Sequence, residues 1–317
     1  MKNANKVSRS FQHMILLCGC LLIYYSVSAR QHKPTESGYI AQKTQGIDSD
    51  YVLIFNSYSE SAPWCRSLVD STVMDLIKLS PQTMTVTQNL NSGLLRDEKA
   101  LAQLRQQVDV SYHDKPRMII YIGSTSWPFP HETIEKKWGK VPSIIFSDID
   151  YTGPIANLLR KTPIAPALRI PYDKIVKEYE GALSVVYMPI YLRQSLALMH
   201  QLTPPMTELC FISDTRWISA QMRADMAAIT KTDFPELKVR YLISADMSTL
   251  DLLDSLQHYG QETGVLFFSW LKQSQVGDSF VNDSHFRIII SKSARQPLFV
   301  LNDNEVNTDS DVLGGYF

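Results

Sequence analysis

The chain has 317 residues, 44% of them apolar, with 31 Lys and Arg against 32 Asp and Glu, enough for two cores of roughly 100 to 150 residues each. No block of like charge is long enough to make a nucleic-acid or membrane-surface patch, which argues against a nucleic-acid partner. The seven histidines show no His-x-x-x-His spacing, and neither a Cys-x-x-Cys pair nor a Gly-x-Ser-x-Gly elbow occurs, so the expectation is no metal, no cofactor and no catalysis in this segment.

Residues 1–29 read as a targeting segment. Lys2, Lys6 and Arg9 precede the uncharged stretch 14–27, and Val27-Ser28-Ala29 offers a small-residue cleavage site. The apolar run is shorter than the roughly 20 residues that span a bilayer, so a cleaved signal peptide is favoured over a retained anchor. Cleavage after Ala29 leaves 28 basic against 32 acidic residues, a formal charge of −4. Residues 30–50 are polar and aperiodic and read as a tether.

The fold is expected to start at Tyr51. A strand over 51–55 is followed by a helix capped by Ser61, with Pro63 in its first turn and Val69, Val73, Leu76 and Ile77 on its apolar face. A strand over 84–90 and a helix over 96–110 through Leu101, Leu104 and Val108 follow, then strands over 118–122 and 143–146. Alternating β and α predicts a parallel sheet covered by helices. Between 151 and 180 four prolines interrupt the pattern and leave one short helical stretch over 172–179, which reads as the hinge between lobes. The second lobe, 181–317, is expected to hold strands over 183–187, 209–212, 239–243, 265–268 and 298–301. Its helices run through Leu192, Leu196 and Met199, through Ile218, Met222, Met226 and Ile229, and from a capping box at Ser248 and Asp251. Residues 311–317 end on apolar residues, and the chain reads as the C-terminally incomplete front part of a longer polypeptide. Cys65 and Cys210 fall in different candidate cores; a disulfide and two separate buried thiols both stay open.

Trp64, Trp127, Trp217 and Trp270 each come directly after an apolar, β-rich run. In a parallel α/β sheet that is the rim where ligands bind. The candidate ligand-binding residues are therefore Asn56, Ser57, Tyr58, Trp64, Ser124, Trp127, Asp148, Tyr187, Asp214, Trp217, Trp270 and Asp303. The tryptophans and tyrosines offer faces that stack on a sugar or other ring-bearing polar molecule; packing within a core is the competing reading for each. Asn56 and Ser57 offer hydrogen bonds, or else satisfy their own turn. Gly123-Ser124-Thr125 lets backbone approach an anion or sugar, but it lacks the lysine of a phosphate-binding loop. Asp148, Asp150, Asp214, Arg216 and Asp303 serve either a ligand or helix caps and solvated ion pairs.

Val52-Leu53-Ile54-Phe55-Asn56-Ser57-Tyr58, Ile119-Ile120-Tyr121-Ile122-Gly123, Phe211-Ile212-Ser213-Asp214, Val265-Leu266-Phe267-Phe268-Ser269-Trp270, Pro297-Leu298-Phe299-Val300-Leu301-Asn302-Asp303 and Gly314-Gly315-Tyr316 resemble the extracytoplasmic sensor region of Bacteroides-type hybrid sensor histidine kinases. That region is similar to ABC-transporter substrate-binding proteins of the type I periplasmic-binding fold. The opening of the expected second lobe, Gly181-Ala182-Leu183-Ser184, departs from the Asn-Val-Thr-Gly-like stretch of many relatives. The resemblance implies an α/β, two-lobed module in the periplasm, attached to the inner membrane by its N-terminal segment or by a region beyond Phe317, with kinase activity, if any, also beyond Phe317. It further implies a small-molecule ligand in the interlobe cleft whose binding drives closure and transmembrane signalling, and a homodimer by analogy with sensor kinases. The rivals are a free-standing transporter binding protein and a protein-interaction module with a degenerate pocket.

Overall fold

The computed structural model describes residues 51–58, 62–180, 182–203, 205–273, 280–281, 286–302 and 312–316. The first sheet contains β1 (Tyr51–Asn56), β2 (Met84–Asn89), β3 (Met118–Ile122), β4 (Ser143–Ser147) and β7 (Leu183–Tyr187). The second contains β8 (Glu208–Ser213), β9 (Lys238–Ile243), β10 (Thr263–Phe267), β13 (Leu298–Val300) and β14 (Val312–Gly314). All ladders in both are parallel. Their orders, β2-β1-β3-β4-β7 and β9-β8-β10-β13-β14, reduce to the same 2-1-3-4-5 winding when each sheet is numbered from its own first strand. Both sheets belong to one compact unit.

Strand periodicity explains how each sheet is covered on two faces. Val52 and Ile54 of β1 pack with Ile120, Ile122 and Cys65 beneath α1 (Pro63–Leu79), whose Leu68, Val69, Val73 and Leu76 close that side. Tyr51, Leu53 and Phe55 point the other way, onto Leu101, Leu104 and Val108 of α2 (Glu98–Ser111). The same alternation sends Cys210 and Ile212 of β8 toward Leu252 and Leu256 of α8 (Thr249–His258). Leu209 and Phe211 face α6 (Leu192–Leu202) and α7 (Trp217–Asp233). Burying each such side chain contributes roughly 1.5–3 kcal/mol. The remaining helices are α3 (His131–Trp138), α4 (Ile155–Arg160), α5 (Tyr172–Glu178) and α9 (Phe286–Ser293). The described residues also form two short antiparallel pairs, β5 (Tyr151–Thr152) with β6 (Ile170–Pro171) and β11 (Lys272–Gln273) with β12 (Phe280–Val281).

Helix starts follow local chemistry. Asp97 accepts a hydrogen bond from Ala100 N at 2.8 Å and opens α2. Ser248 and Asp251 make both bonds of the expected capping box at α8. At α1 the cap position is Ala62, which has no side-chain bond, with Pro63 in the first turn; the expected cap Ser61 lies outside the described residues. Ile77, expected on the buried face of α1, is 48% exposed, and Leu68 takes the inward position instead.

The larger difference from the sequence reading concerns the lobe boundary. The strand over 183–187, assigned to the second lobe, pairs with β4 and forms the edge of the first sheet. Residues 151–180 are accordingly the β4-to-β7 connection, containing α4 and α5, and the chain passes to the second sheet through the segment bearing α6. Which sheet a strand joins is fixed by long-range pairing, to which local periodicity is blind. The targeting segment and tether, residues 1–50, lie outside the described residues. No helix among the described residues is long and apolar enough to cross a membrane. Cys65 and Cys210 are both free and buried, in separate clusters on the two sheets.

Candidate functional site

The 2-1-3-4-5 winding places a topological switch point between the first and third strands of each sheet, where the outgoing loops part and leave a crevice. In the first sheet these loops carry residues 57–58 and 123–127. Most of their polar groups are spent on one another. Asn56 Nδ2 donates to Asn89 Oδ1 at 2.8 Å, Thr125 N donates to Ser57 Oγ at 3.2 Å, and Ser126 Oγ donates to Gly123 O at 2.7 Å. Gly123 adopts φ +92°, and a Cβ there would stand 2.6 Å from Ser57 Oγ. Its glycine is therefore required to bring the β3 loop against β1.

Tyr58 and Ser124 of these loops join polar side chains of the β4-to-β7 connection around Asp148. Tyr58 OH, Ser124 Oγ, Asp148 Oδ1, Tyr151 OH, Thr152 Oγ1 and Tyr172 OH are buried without a hydrogen-bond partner. Ser124 lies against both Tyr58 and Asp148. Burial raises the Asp148 carboxyl above its ordinary pKa, an effect moderated by Ser124 and Arg216. Burial likewise pushes the Tyr58 phenol and the Cys65 thiol up, with Asp148 adding to both. The thiol is free and buried, and burial favours its neutral form. Buried polar atoms lacking protein partners are the groups that a polar ligand or ordered water satisfies.

Arg216 reaches this patch from the second lobe. Its guanidinium Cζ lies 4.8 Å from the Tyr58 ring centroid. Asp214, 0% exposed, holds it through Nε to Oδ2 at 2.8 Å and also accepts from Ser219 Oγ at 2.6 Å. Burial pulls the Arg216 pKa down, but Asp214 and Tyr58 more than offset this, so the group stays charged.

A second set of contacts joins the β4-to-β7 connection to α7. Trp217 Nε1 donates to Thr162 O at 3.1 Å, Ile164 N donates to Gln221 Oε1 at 2.7 Å, and Arg169 pairs with Asp225 at 2.7 Å. Positions 217, 221 and 225 are four apart and share one face of the helix. Residues 162–169 therefore form a strap laid along α7, and the end of α4 is carried with it.

Beside the strap is a cavity of about 560 Å³ walled by both lobes. Arg96, from the loop after β2, and Leu159, Arg160 and Lys161, from the end of α4, form the first-lobe wall. Thr215 after β8, Ser244 and Ala245 after β9, and Leu271 and Lys272 after β10 form the other. The structure thus brings the loop after β2 and the end of α4 against strand-end loops of the second sheet.

None of the described residues named from sequence lines this cavity. Asn56, Ser57, Tyr58, Ser124 and Asp148 gather on the first-lobe rim, with Asp214 opposite, behind Arg216. Trp127 is buried, stacked on His131 with ring centroids 4.0 Å apart, and meets Tyr172 and Tyr179 edge-on. Trp217 lies in the seam between lobes, and the Trp270 indole donates to Thr249 Oγ1 at 3.2 Å. Trp64 is half-buried against the cluster under α1, and Tyr187 is exposed at the end of β7. Asp303 lies outside the described residues. The sequence reading missed Arg96, Arg160, Lys161 and Lys272. Arg160 and Lys161 close a helix, where cations complement the dipole, so their sequence signal was an ordinary one. Lys161 nonetheless adopts φ 55°, uncommon for a residue with a side chain.

No family model and no curated protein matches the sequence. Among solved structures, the chain is similar to an ABC sugar transporter subunit from Rhodobacter sphaeroides, at 10% identity and TM-score 0.45, covering 82% of this chain and 83% of that one. It is similar to a fatty acid ABC transporter substrate-binding protein from Thermomonospora curvata, at 9% identity and TM-score 0.47, covering 80% and 58%. A carbohydrate transporter solute-binding protein from Agrobacterium radiobacter, in complex with D-arabinose, aligns at 11% identity and TM-score 0.43, covering 82% and 79%.

Proposed function

We propose that the chain is an exported binding module that takes a small molecule between its lobes and performs no chemistry on it. The observation that carries this reading is the cavity walled by the loop after β2 and the end of α4 on one side and by strand-end loops of the second sheet on the other. A ligand held there touches both lobes at once, so its binding energy depends on how they are set against each other. Reversing a 1:99 preference between two lobe arrangements requires about 5.5 kcal/mol of differential affinity. Contacts to Arg160 and Lys161 on one wall and Lys272 on the other are the kind that change with lobe arrangement.

Within this reading the module serves as the sensing region of a membrane-attached histidine kinase, following the motif resemblance. A free-standing transporter binding protein shares the same site and the same closure. The gene sequence following residue 317 separates them: an apolar span of about 20 residues and a kinase support the sensor, whereas a closing helix and a stop support the transporter protein.

Ligand binding itself is tested by titrating small molecules while following tryptophan emission, thermal stability and scattering size. Trp217 sits in the seam, so closure is expected to alter its emission. A broad set of polar small molecules that changes none of the three readouts would overturn the reading and favour the protein-interaction alternative.

A further inference from the structure

We infer that the ligand of the interlobe cavity is a small organic anion carrying two or more negative charges, an inference that rests on the binding reading above and names its substrate class. Four cations, Arg96, Arg160, Lys161 and Lys272, line the cavity, and no carboxylate among the described residues does. The whole chain has a formal net charge of −1, so this concentration of positive charge is a property of the site and not of the composition. The nearby carboxylate of Asp214 is committed to Arg216 and Ser219.

Two of the cations are held in place. Lys161 Nζ donates to Gly93 O, and Lys272 Nζ donates to Met247 O at 2.6 Å while lying over the Trp270 ring. Each ammonium has three N–H donors, so both keep donors for a ligand, and less side-chain freedom is lost when it binds. Gathering like charges in a partly desolvated cleft is unfavourable: burial and Arg96 lower the Lys161 pKa, and Asp214 offsets this only in part. An anion relieves that repulsion. At about 560 Å³ the cavity exceeds what one inorganic phosphate fills. Leu159, Ala245 and Leu271 give a carbon skeleton apolar contact, and the hydroxyls of Thr215 and Ser244 give it polar contact.

Calorimetric titration of the full chain with citrate, glucose 6-phosphate and glucose tests the inference. At least one of the two anions is expected to bind, more weakly at high salt than at low salt, and glucose to bind far more weakly than its phosphate. The double variant Arg160→Gln, Lys272→Gln is expected to weaken anion binding about tenfold or more, while Lys177→Gln, a distant exposed change, leaves it unaltered. Arg160→Gln alone, at an exposed helix end, serves if the double variant fails to fold. Equal binding of glucose and glucose 6-phosphate, anion binding indifferent to the cavity variants, or no binding of either anion would each overturn the inference. Scattering measurements with neutral sugars and amino acids distinguish the two readings: lobe closure on a neutral molecule leaves the binding function standing without its anion, and no closure on any probe removes both.

Discussion

Arg216 lays its guanidinium over the ring of Tyr58 while its Nε is tied to the fully buried carboxylate of Asp214. A single side chain thereby couples the loop after β8 to the loop after β1. The contact stands where the two lobes meet at the strand ends, and its energetics are open to direct measurement.

Replacing Arg216 with Ala leaves the Asp214 carboxylate, among the described residues, with Ser219 Oγ and the backbone N of residue 216 as hydrogen-bond donors, while Arg223 Nη1 still donates to Asp214 O. Breaking a buried pair from one side is expected to cost about 3 kcal/mol. Urea unfolding of the variant and parent measures it. A loss below about 1 kcal/mol would mean that solvent screens this pair as it does surface pairs.

The strap along α7 gives a second expectation. Trp217→Phe removes the bond to Thr162 O and is expected to cost about 1 kcal/mol, whereas Gln221→Leu strands the N–H of Ile164 and should cost roughly 1–3 kcal/mol. Because the two sites lie one helical turn apart under the same segment, the double variant should lose less than the sum of the single losses. Strict additivity in a double-mutant cycle would show that residues 162–169 do not act as a unit.

Asp148 should be a liability for stability. Its carboxyl is raised from an ordinary 3.8 chiefly by burial, and Oδ1 has no partner. The folded state therefore holds the proton more tightly than the unfolded state, so the associated stability is full below pH 3.8 and is lost as pH rises through the folded value. Asp148→Asn is expected to be more stable than the parent at neutral pH by about 1 kcal/mol, with the difference shrinking toward acid. Thermal melts across that range check it; a variant less stable at neutral pH would show that the charged form is the one the fold favours.

Gly123→Ala combines an unfavourable φ of +92° with a Cβ 2.6 Å from Ser57 Oγ. A loss of about 2 kcal/mol or more is expected, measurable by denaturant unfolding. Pairing it with Ser57→Gly should recover the steric part and leave the conformational part.

The sequence by itself determined the alternation of strands and helices, and with it the parallel sheets and the clustering of candidate residues at strand ends. Those features are local. An apolar, β-branched run such as 118–122 favours a buried strand, and Ser248 with Asp251 caps a helix from within four residues. Asn56, Ser57, Tyr58, Ser124 and Asp148 were legible as rim residues for that reason. The tertiary structure alone decided that β7 joins the first sheet, because strand pairing is made between segments distant in the chain. It also decided which way the indoles turn: Trp127 into the first-lobe core, and Trp217 and Trp270 onto hydrogen bonds with Thr162 and Thr249. Finally, Arg96, Arg160, Lys161 and Lys272 meet at one cavity. Arg96 sits in a loop, Arg160 and Lys161 at a helix end and Lys272 in the two-residue β11, all too short to carry a period that marks direction, and only packing one lobe against the other brings their charges together.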